Sequence, residues 1–321
     1  IMEQNMQAPK GFKLFMMAIR AFAFPASVIP VLYGSILSVI LIPDTSFNFL
    51  YFALTLIGAM SVHVGSNIIN DIYDYKKGID KQDPEIGIPH GGSMVISMGL
   101  VTVERMKAIA FGSLILSGII GIYLWLMIGP WILYLMIFGL FAAIYYTANP
   151  FALKYKALGD LMVFLSFGVG MTLGSFIVQT GHFDWRPVIL SFPIGILIIA
   201  ILHTNNIRDM KFDGAFGVKT IPILIGQKMS IYLYDVLIVG AYASIILFVV
   251  FGLLPWPALL NLITLPTALK LVKMLKTIPD ENIPRWEVGT KLNIMTAQFN
   301  MQFGIMLNLG LLIAFLYTLF M

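Results

Sequence analysis

An all-α, polytopic membrane protein with nine spans is the fold class this sequence predicts, and three observations predict it. The chain of 321 residues is 59% hydrophobic and only 11% charged. Its mean hydropathy is +0.90, far above what a soluble core needs. The apolar residues also gather in runs of about 20, the length at which a helix crosses the hydrocarbon core. Those runs are too long and too uniformly apolar for a β-barrel, and backbone groups in hydrocarbon must be satisfied within each segment.

The spans are expected at 20–42, 48–69, 106–128, 130–147, 158–179, 187–206, 231–253, 257–275 and 300–320. Each is bounded by the charge that cannot enter the bilayer. Lys10, Lys13 and Arg20 precede the first span; Lys76, Lys77, Lys81, Arg105 and Lys107 fall between the second and third. Lys154 and Lys156 follow the fourth, and Arg208, Lys211, Lys219 and Lys228 follow the sixth. Lys270, Lys273, Lys276, Arg285 and Lys291 follow the eighth. Nineteen of the 20 basic residues thereby fall on one side, with Arg186 alone opposite. Because positive loops stay cytoplasmic, the N-terminus is expected inside and the C-terminus outside a cytoplasmic membrane. One invented or missed span would scramble the partition.

No signal peptide is expected, since the first apolar run is a full span without a small-residue cleavage site. Zero cysteines exclude disulfide and thiolate chemistry. The net charge of +4 follows from membrane topology, so nucleic acid is not an expected partner. No low-complexity segment or separate soluble domain interrupts residues 1–321, which read as one transmembrane domain needing no obligate protein partner.

Negative charge is concentrated instead. Of 16 acidic residues, Asp71, Asp74, Asp80, Asp83 and Glu85 lie in or beside "SNIINDIYDYKKGID", and Asp209 and Asp213 lie in "HTNNIRDMKFDGAFGVKT". Both stretches close an outside-to-inside helix, so both sit at a cytoplasmic end, and their separation suggests a pseudo-repeat of 20–150 and 158–275. Asn67, Asn70, Asp71 and Asp74 are spaced to share a helix face, as are Asn205 or Asn206, Asp209 and Asp213. Carboxylates at a helix C-terminus repel one another and oppose the macrodipole, so something cationic must compensate. Mg²⁺ fits: it takes oxygen ligands and is held by one or two carboxylates plus substrate phosphates. Without Cys or a suitable His pair, zinc does not. Lys76, Lys77, Lys81, Arg208, Lys211 and Lys219 are of the types that hold phosphate oxygens. One such loop would be ordinary solvated surface; two at equivalent helix ends indicate a metal-bridged polyanion site. His63, His90, His182 and His203 form no metal-spaced pair and read as packed or interfacial, with His203 one turn before the second cluster. Lys270, Lys273 and Lys276 read as topology determinants or contacts with anionic lipid.

"NDIYDYKKGIDKQD" resembles the first aspartate motif of the UbiA superfamily of intramembrane prenyltransferases, and "NNIRDMKFDGAFGVKTIPILIG" resembles the second. The spacing from Asp74 to Asp80 is similar to the MenA-type branch, which prenylates 1,4-dihydroxy-2-naphthoate on the way to menaquinone. "IRAFAFPASVIPVLYG", "GGSMVISMGLVT", "YTANPFALKYKALGD" and "TAQFNMQFGIMLNLGLL" agree, so the resemblance covers nearly the whole chain. It implies that Asn70, Asp71, Asp74, Asp80, Asp209 and Asp213 bind two Mg²⁺ carrying the diphosphate of a polyprenyl donor, with Asp71, Asp74, Asp209 and Asp213 central to catalysis. It places Arg20, Lys154 and Arg208 against diphosphate or acceptor, and Tyr146 and Asn206 near the same cavity. Asn67, Lys77, Lys81 and Lys211 complete the substrate-binding candidates. The chain departs from the branch at Asp83-Pro84-Glu85 and Asp213-Gly214, where Arg is common, and at Met94; the metal ligands are intact.

The chemistry expected is ionisation of an allylic diphosphate, once its charge is neutralised, followed by attack of an electron-rich aromatic ring with loss of the ring carboxylate. Apolar walls exclude water from the cation, and Phe24, Tyr145, Tyr146, Phe164 or Phe167 are candidate aromatic faces. A 4-hydroxybenzoate, homogentisate or chlorophyllide acceptor stays open. An ion or metabolite transporter would place carboxylates near the midplane rather than at helix ends. A phospholipid head-group transferase would carry a D-G-x-x-A-R run, which this sequence lacks.

Overall fold

The computed structural model describes residues 9–80, 92–278 and 285–320. Its elements are helices, joined by turns and one isolated backbone bridge. A short helix α1, Gly11–Ala18, precedes the spans. These are α2 (Ala21–Leu41), α3 (Phe49–Lys77), α4 (Val103–Ile128), α5 (Pro130–Tyr145), α6 (Gly159–Thr180), α7 (Arg186–Ala215), α8 (Ile221–Val250), α9 (Trp256–Leu275) and α10 (Arg285–Phe320). Eight are long and apolar enough to cross a bilayer among the described residues. The fourth expected span, 130–147, corresponds to α5, which has 16 residues and falls short of that length.

Local chemistry sets the helix ends. The Asn48 side chain accepts from Tyr51 N at 3.0 Å and Thr102 from Arg105 N at 3.3 Å, capping α3 and α4. Pro130 opens α5 at the first helical position, where its missing N–H costs no hydrogen bond. Gly78, at φ 78°, stops α3 in the left-handed region. Several helices outrun their apolar stretch: α3 continues past 69 to Lys77, and α7 past 206 to Ala215. Asp71 and Asp74 therefore stand on helix, as do Asp209 and Asp213, while Asp80 lies just past the end of α3.

Burial ranks the spans. Of the most apolar stretch of α7, 67% is buried inside the bundle, against 11% for α4, so α7 is central and α4 faces lipid. Tyr33, Phe176, Ile194, Leu197, Tyr234, Phe299 and Phe303 form the main core from α2, α6, α7, α8 and α10. A second core of Ala18, Ile68, Ile72, Val95, Met106 and Ala110 holds α1 and the 93–101 segment against α3 and α4. Small residues permit the tightest crossings; Gly168 of α6 meets Gly195 of α7, where a Cβ on Gly168 would lie 2.7 Å from the Gly195 Cα. Two buried tyrosines of α8 find hydroxyl partners inside the bundle: Tyr234 pairs with Thr296 at 2.9 Å and Tyr242 with Thr264 at 2.6 Å.

Candidate active site

The C-terminal ends of α3 and α7 open on one cavity of ≈ 1290 Å³. Helical periodicity places His63, Asn67, Asn70 and Asp74 of α3 on its wall, and Asn205, Asn206, Arg208, Asp209 and Asp213 of α7 on the facing wall. Asp80, beyond the Gly78 stop, lines it as well, as do Arg20, Tyr146 and Lys154. The two acidic tips are far apart in sequence, and the fold brings them to a shared chamber.

At the first tip the two carboxylates face different ways. Asp74 accepts from Lys154 Nζ at 2.5 Å, Tyr155 Oη at 2.7 Å and Asn70 Nδ2 at 2.8 Å. Asp71, one residue past Asn70, is turned behind the wall and does not border the cavity. It is ion-paired with Arg20 and accepts from Ser93 N at 3.2 Å and Ser93 Oγ at 2.5 Å. The backbone around this pair is unusual. Arg20 and Met94 take left-handed φ values of 54° and 59°, costly for residues with a Cβ, and they flank the ion pair. Gly92, at φ 45°, leaves space that a Cβ would take from the Asp71 carboxylate and the Arg20 guanidinium.

The second tip is supported by its own helix. Arg208 donates from Nε to Asp209 at 2.6 Å, and from Nη2 to Asp209 at 2.7 Å and to Asn205 at 2.6 Å. Gly289 of α10 lets the Arg208 side chain lie flat, since a Cβ there would meet its Cγ at 2.9 Å.

Segment 146–158 links the tips. Ala157 N donates to Lys219 O at 2.8 Å and Lys219 N to Tyr155 O at 3.1 Å, tying this loop to the chain just past α7. Lys154 thereby reaches Asp74 while also feeling Asp213. Burial works against its charge, but Asp74, Tyr146 and Asp213 together raise its pKa above the ordinary lysine value.

Carboxyl groups outnumber basic side chains. Asp71, Asp74, Asp80, Asp209 and Asp213 stand against three basic side chains, Arg20, Lys154 and Arg208. Burial, then the neighbouring Asp74, pushes the Asp80 carboxyl up to about 8. The donor set is all oxygen. Among the described residues no group of three or more Asp, Glu, His or Cys converges as a self-sufficient metal cage. That combination suits a hard divalent cation shared with a polyanionic substrate.

Away from the tips the cavity turns apolar. Leu54, Leu114, Leu135, Met136, Phe138 and Met171 line it, and Gly118 and Gly139 face it with no atom within 4 Å of where a Cβ would stand. Ile122, Ile137 and Leu140 both line it and are exposed on the outer surface, so it reaches the lipid-facing side near α4 and α5.

The structure separates the candidates. Asn67, Asn70, Asp74, Asp80, Asp209, Asp213, Arg20, Tyr146, Lys154, Asn206 and Arg208 border the cavity. Asp71 lies behind it, drawn to the edge of that helix face by Arg20 and Ser93. Lys77 and Lys211 are exposed and off the cavity wall; Lys77 stacks on the Tyr155 ring at 3.3 Å. Lys81, Asp83, Glu85 and His90 lie outside the described residues. Of the aromatic candidates Tyr146 and Phe167 line the cavity, whereas Tyr145 packs on Phe141 and Phe151, Phe164 on Phe192, and Phe24 stands behind His63. His203 is turned from the site toward α8, with Nε2 2.8 Å from Ser230 O. Ser93 and Tyr155, which hold the two first-tip carboxylates, carry no sequence signal of that role.

The model of the UbiA prenyltransferase family matches residues 27–293. The UbiA prenyltransferase domain-containing protein 1 homolog of Drosophila melanogaster is 33% identical over 303 residues, covering 92% of this chain and 78% of that protein. The 1,4-dihydroxy-2-naphthoate octaprenyltransferase of Bacillus subtilis is 30% identical over 298 residues, covering 92% and 91%. Among solved structures, a UbiA homolog from Aeropyrum pernix K1 matches with a TM-score of 0.68 at 17% identity, over 92% of this chain and 98% of that one. A UbiA homolog from Archaeoglobus fulgidus bound to GPP and Mg²⁺ matches at 0.60 and 16% identity, over 92% and 99%.

Proposed function

The chain belongs to the UbiA prenyltransferase family, and from that premise we propose that it transfers a polyprenyl group from an allylic diphosphate to 1,4-dihydroxy-2-naphthoate, with loss of the ring carboxylate. One observation carries the reading: two acidic helix tips, in excess over their basic partners, share a polar chamber that continues into an apolar tunnel. A diphosphate at the tips and an isoprenoid chain in the tunnel match that division. The aromatic acceptor rests on the relationship to the Bacillus subtilis enzyme and on the Asp74-to-Asp80 spacing.

Asn70, Asp74 and Asp80 on one side and Asp209 and Asp213 on the other are the oxygen ligands we assign to Mg²⁺. The metal would neutralise the departing diphosphate, whose charge otherwise holds the allylic C–O bond closed. Arg20, Lys154 and Arg208 border the same chamber as hydrogen-bond donors to phosphate oxygens. Lys154 is suited to the task, since its carboxylate neighbours hold it charged despite burial. Asp71 acts through Arg20, orienting the guanidinium instead of binding metal itself. The apolar wall keeps water from the allylic cation, and the faces of Phe167 and Tyr146 offer it electron density. The positive-residue bias supports a cytoplasmic membrane with both tips at the cytoplasmic side.

Incubating the purified protein with Mg²⁺, an allylic diphosphate and a panel of aromatic acids, then weighing the products, tests the assignment. The expected mass is the sum of the dihydroxynaphthoic acid and the whole prenyl diphosphate, less CO₂ and the released diphosphate, each counted in its acid form. Product only from 4-hydroxybenzoate or homogentisate would replace the acceptor, and product from none would refute the reaction.

A further inference from the structure

His63 lies in the middle of α3, far from the acidic tip, and on sequence alone reads as packing. The structure gives it a more specific setting. It sits on the cavity wall, and its Nδ1 is 2.7 Å from Ser27 Oγ of α2, which stands behind the wall. The imidazole is edge-on to Phe167 at 4.7 Å and to Phe24 at 6.3 Å, so hydrogen bond and rings together fix its plane. Nε2 bonds to no described residue and is not sealed in the packing. His203, the other histidine buried in a span, has Nε2 on a carbonyl and Nδ1 sealed.

The tautomer follows from the partner. Among the described residues the Ser27 hydroxyl has no acceptor other than His63 Nδ1, and a buried hydroxyl proton left unpaired is costly. Nδ1 therefore accepts, and the ring proton sits on Nε2, a donor on the cavity side. Asn67, one turn toward the tip, lines the same wall and has an Nδ2 without a protein partner. The two side chains rise about 6 Å apart along α3, and His63 lies about 16 Å along the helix from Asp74. A hydrogen-bond donor at this depth is expensive unless a ligand answers it. A prenyl chain has no acceptor atom beyond its diphosphate, which belongs at the tips. The reactant that carries oxygens on a rigid ring is the aromatic one.

We propose that His63, held by Ser27, donates from Nε2 to a ring oxygen of the aromatic acceptor and so orients the ring for attack. This rests on the reading that an aromatic compound enters the cavity. Ser27 is a positioning residue that sets the tautomer. Fixing one oxygen selects which ring carbon meets the allylic cation, and the flanking Phe167 restricts the ring plane.

The test is steady-state kinetics with each substrate varied in turn. Transfer by the wild-type enzyme tests the functional reading; the ratio of variant to wild type tests His63. His63→Phe keeps the aromatic packing and removes the donor, and is expected to raise KM for the acceptor about tenfold while leaving KM for the prenyl diphosphate within about twofold. His63→Gln, whose amide can place a donor near the Nε2 position, is expected to recover most of that loss. Ser27→Ala is expected to fall between. An unchanged acceptor KM in His63→Phe, or a rise confined to the prenyl diphosphate, would overturn the assignment, as would failure of Gln to exceed Phe. Retained prenyl diphosphate KM in each variant shows that the protein is folded.

Discussion

The two acidic tips read alike in sequence and are built differently. The first is held by long-range partners: Arg20 and Ser93 take Asp71, and Lys154 and Tyr155 take Asp74. The second is held by Arg208 and Asn205 on its own helix. The first tip is therefore a junction where the α1–α2 turn, the 93–101 segment and the 146–158 loop meet. The second is a helix end braced along its own length. Equivalent motifs can thus combine one tip whose geometry depends on the tertiary fold with one whose geometry is largely local.

Removing Asp71 should sharpen that contrast most. Asp71→Leu leaves the Arg20 guanidinium without its carboxylate in a largely buried site, and thermal unfolding in detergent should report a loss of about 3 kcal/mol. Combining it with Arg20→Met should recover much of the stability without recovering turnover. If Asp71→Leu melts like wild type, the junction is not what stabilises the first tip.

Next come the carboxylates that face the chamber. Asp74→Ala and Asp209→Ala should each lower kcat by about 10²-fold or more, as loss of one preorganised electrostatic group does. Asp74→Ala should also lower the melting temperature, because Lys154 and Tyr155 lose their acceptor, and so should Asp209→Ala, because buried Arg208 loses the carboxylate that takes two of its hydrogen bonds. Wild-type rates in both would refute the site. A smaller effect, about 1–3 kcal/mol, is expected from Gly92→Ala, which combines a left-handed φ with a Cβ in the space of the Asp71–Arg20 pair. The smallest belongs to Lys77→Ala. Its exposed ammonium loses only a stacking contact on Tyr155, about 0.5–1 kcal/mol, and kcat should stay within about twofold. A large loss of turnover there would move phosphate binding outside the chamber.

Much was legible before the structure because it depends on neighbours in sequence. Hydropathy located the spans, and the three- and four-residue spacing put Asn67, Asn70 and Asp74 on one face and Asn206, Asp209 and Asp213 on another. The same spacing grouped Asp71 with them, yet its pairing with Arg20 and Ser93 holds its carboxylate behind the wall. Lys77 and Lys211 neighbour the carboxylates in sequence but lie exposed and off the cavity wall, because a neighbour on a helix commonly faces elsewhere.

The sequence by itself determined a bundle of apolar helices with two carboxylate-rich ends, since chain length in hydrocarbon and helical period are local properties. Only the tertiary structure decided that the ends share one chamber, that Lys154 lies between Asp74 and Asp213, and that His63 borders the cavity with Nδ1 against Ser27. Ion pairs between residues 51 and 80 apart in the chain exist only once packing has brought α2, α3 and the 146–158 loop together. No periodicity encodes them, because their geometry belongs to how the helices cross and not to any one helix.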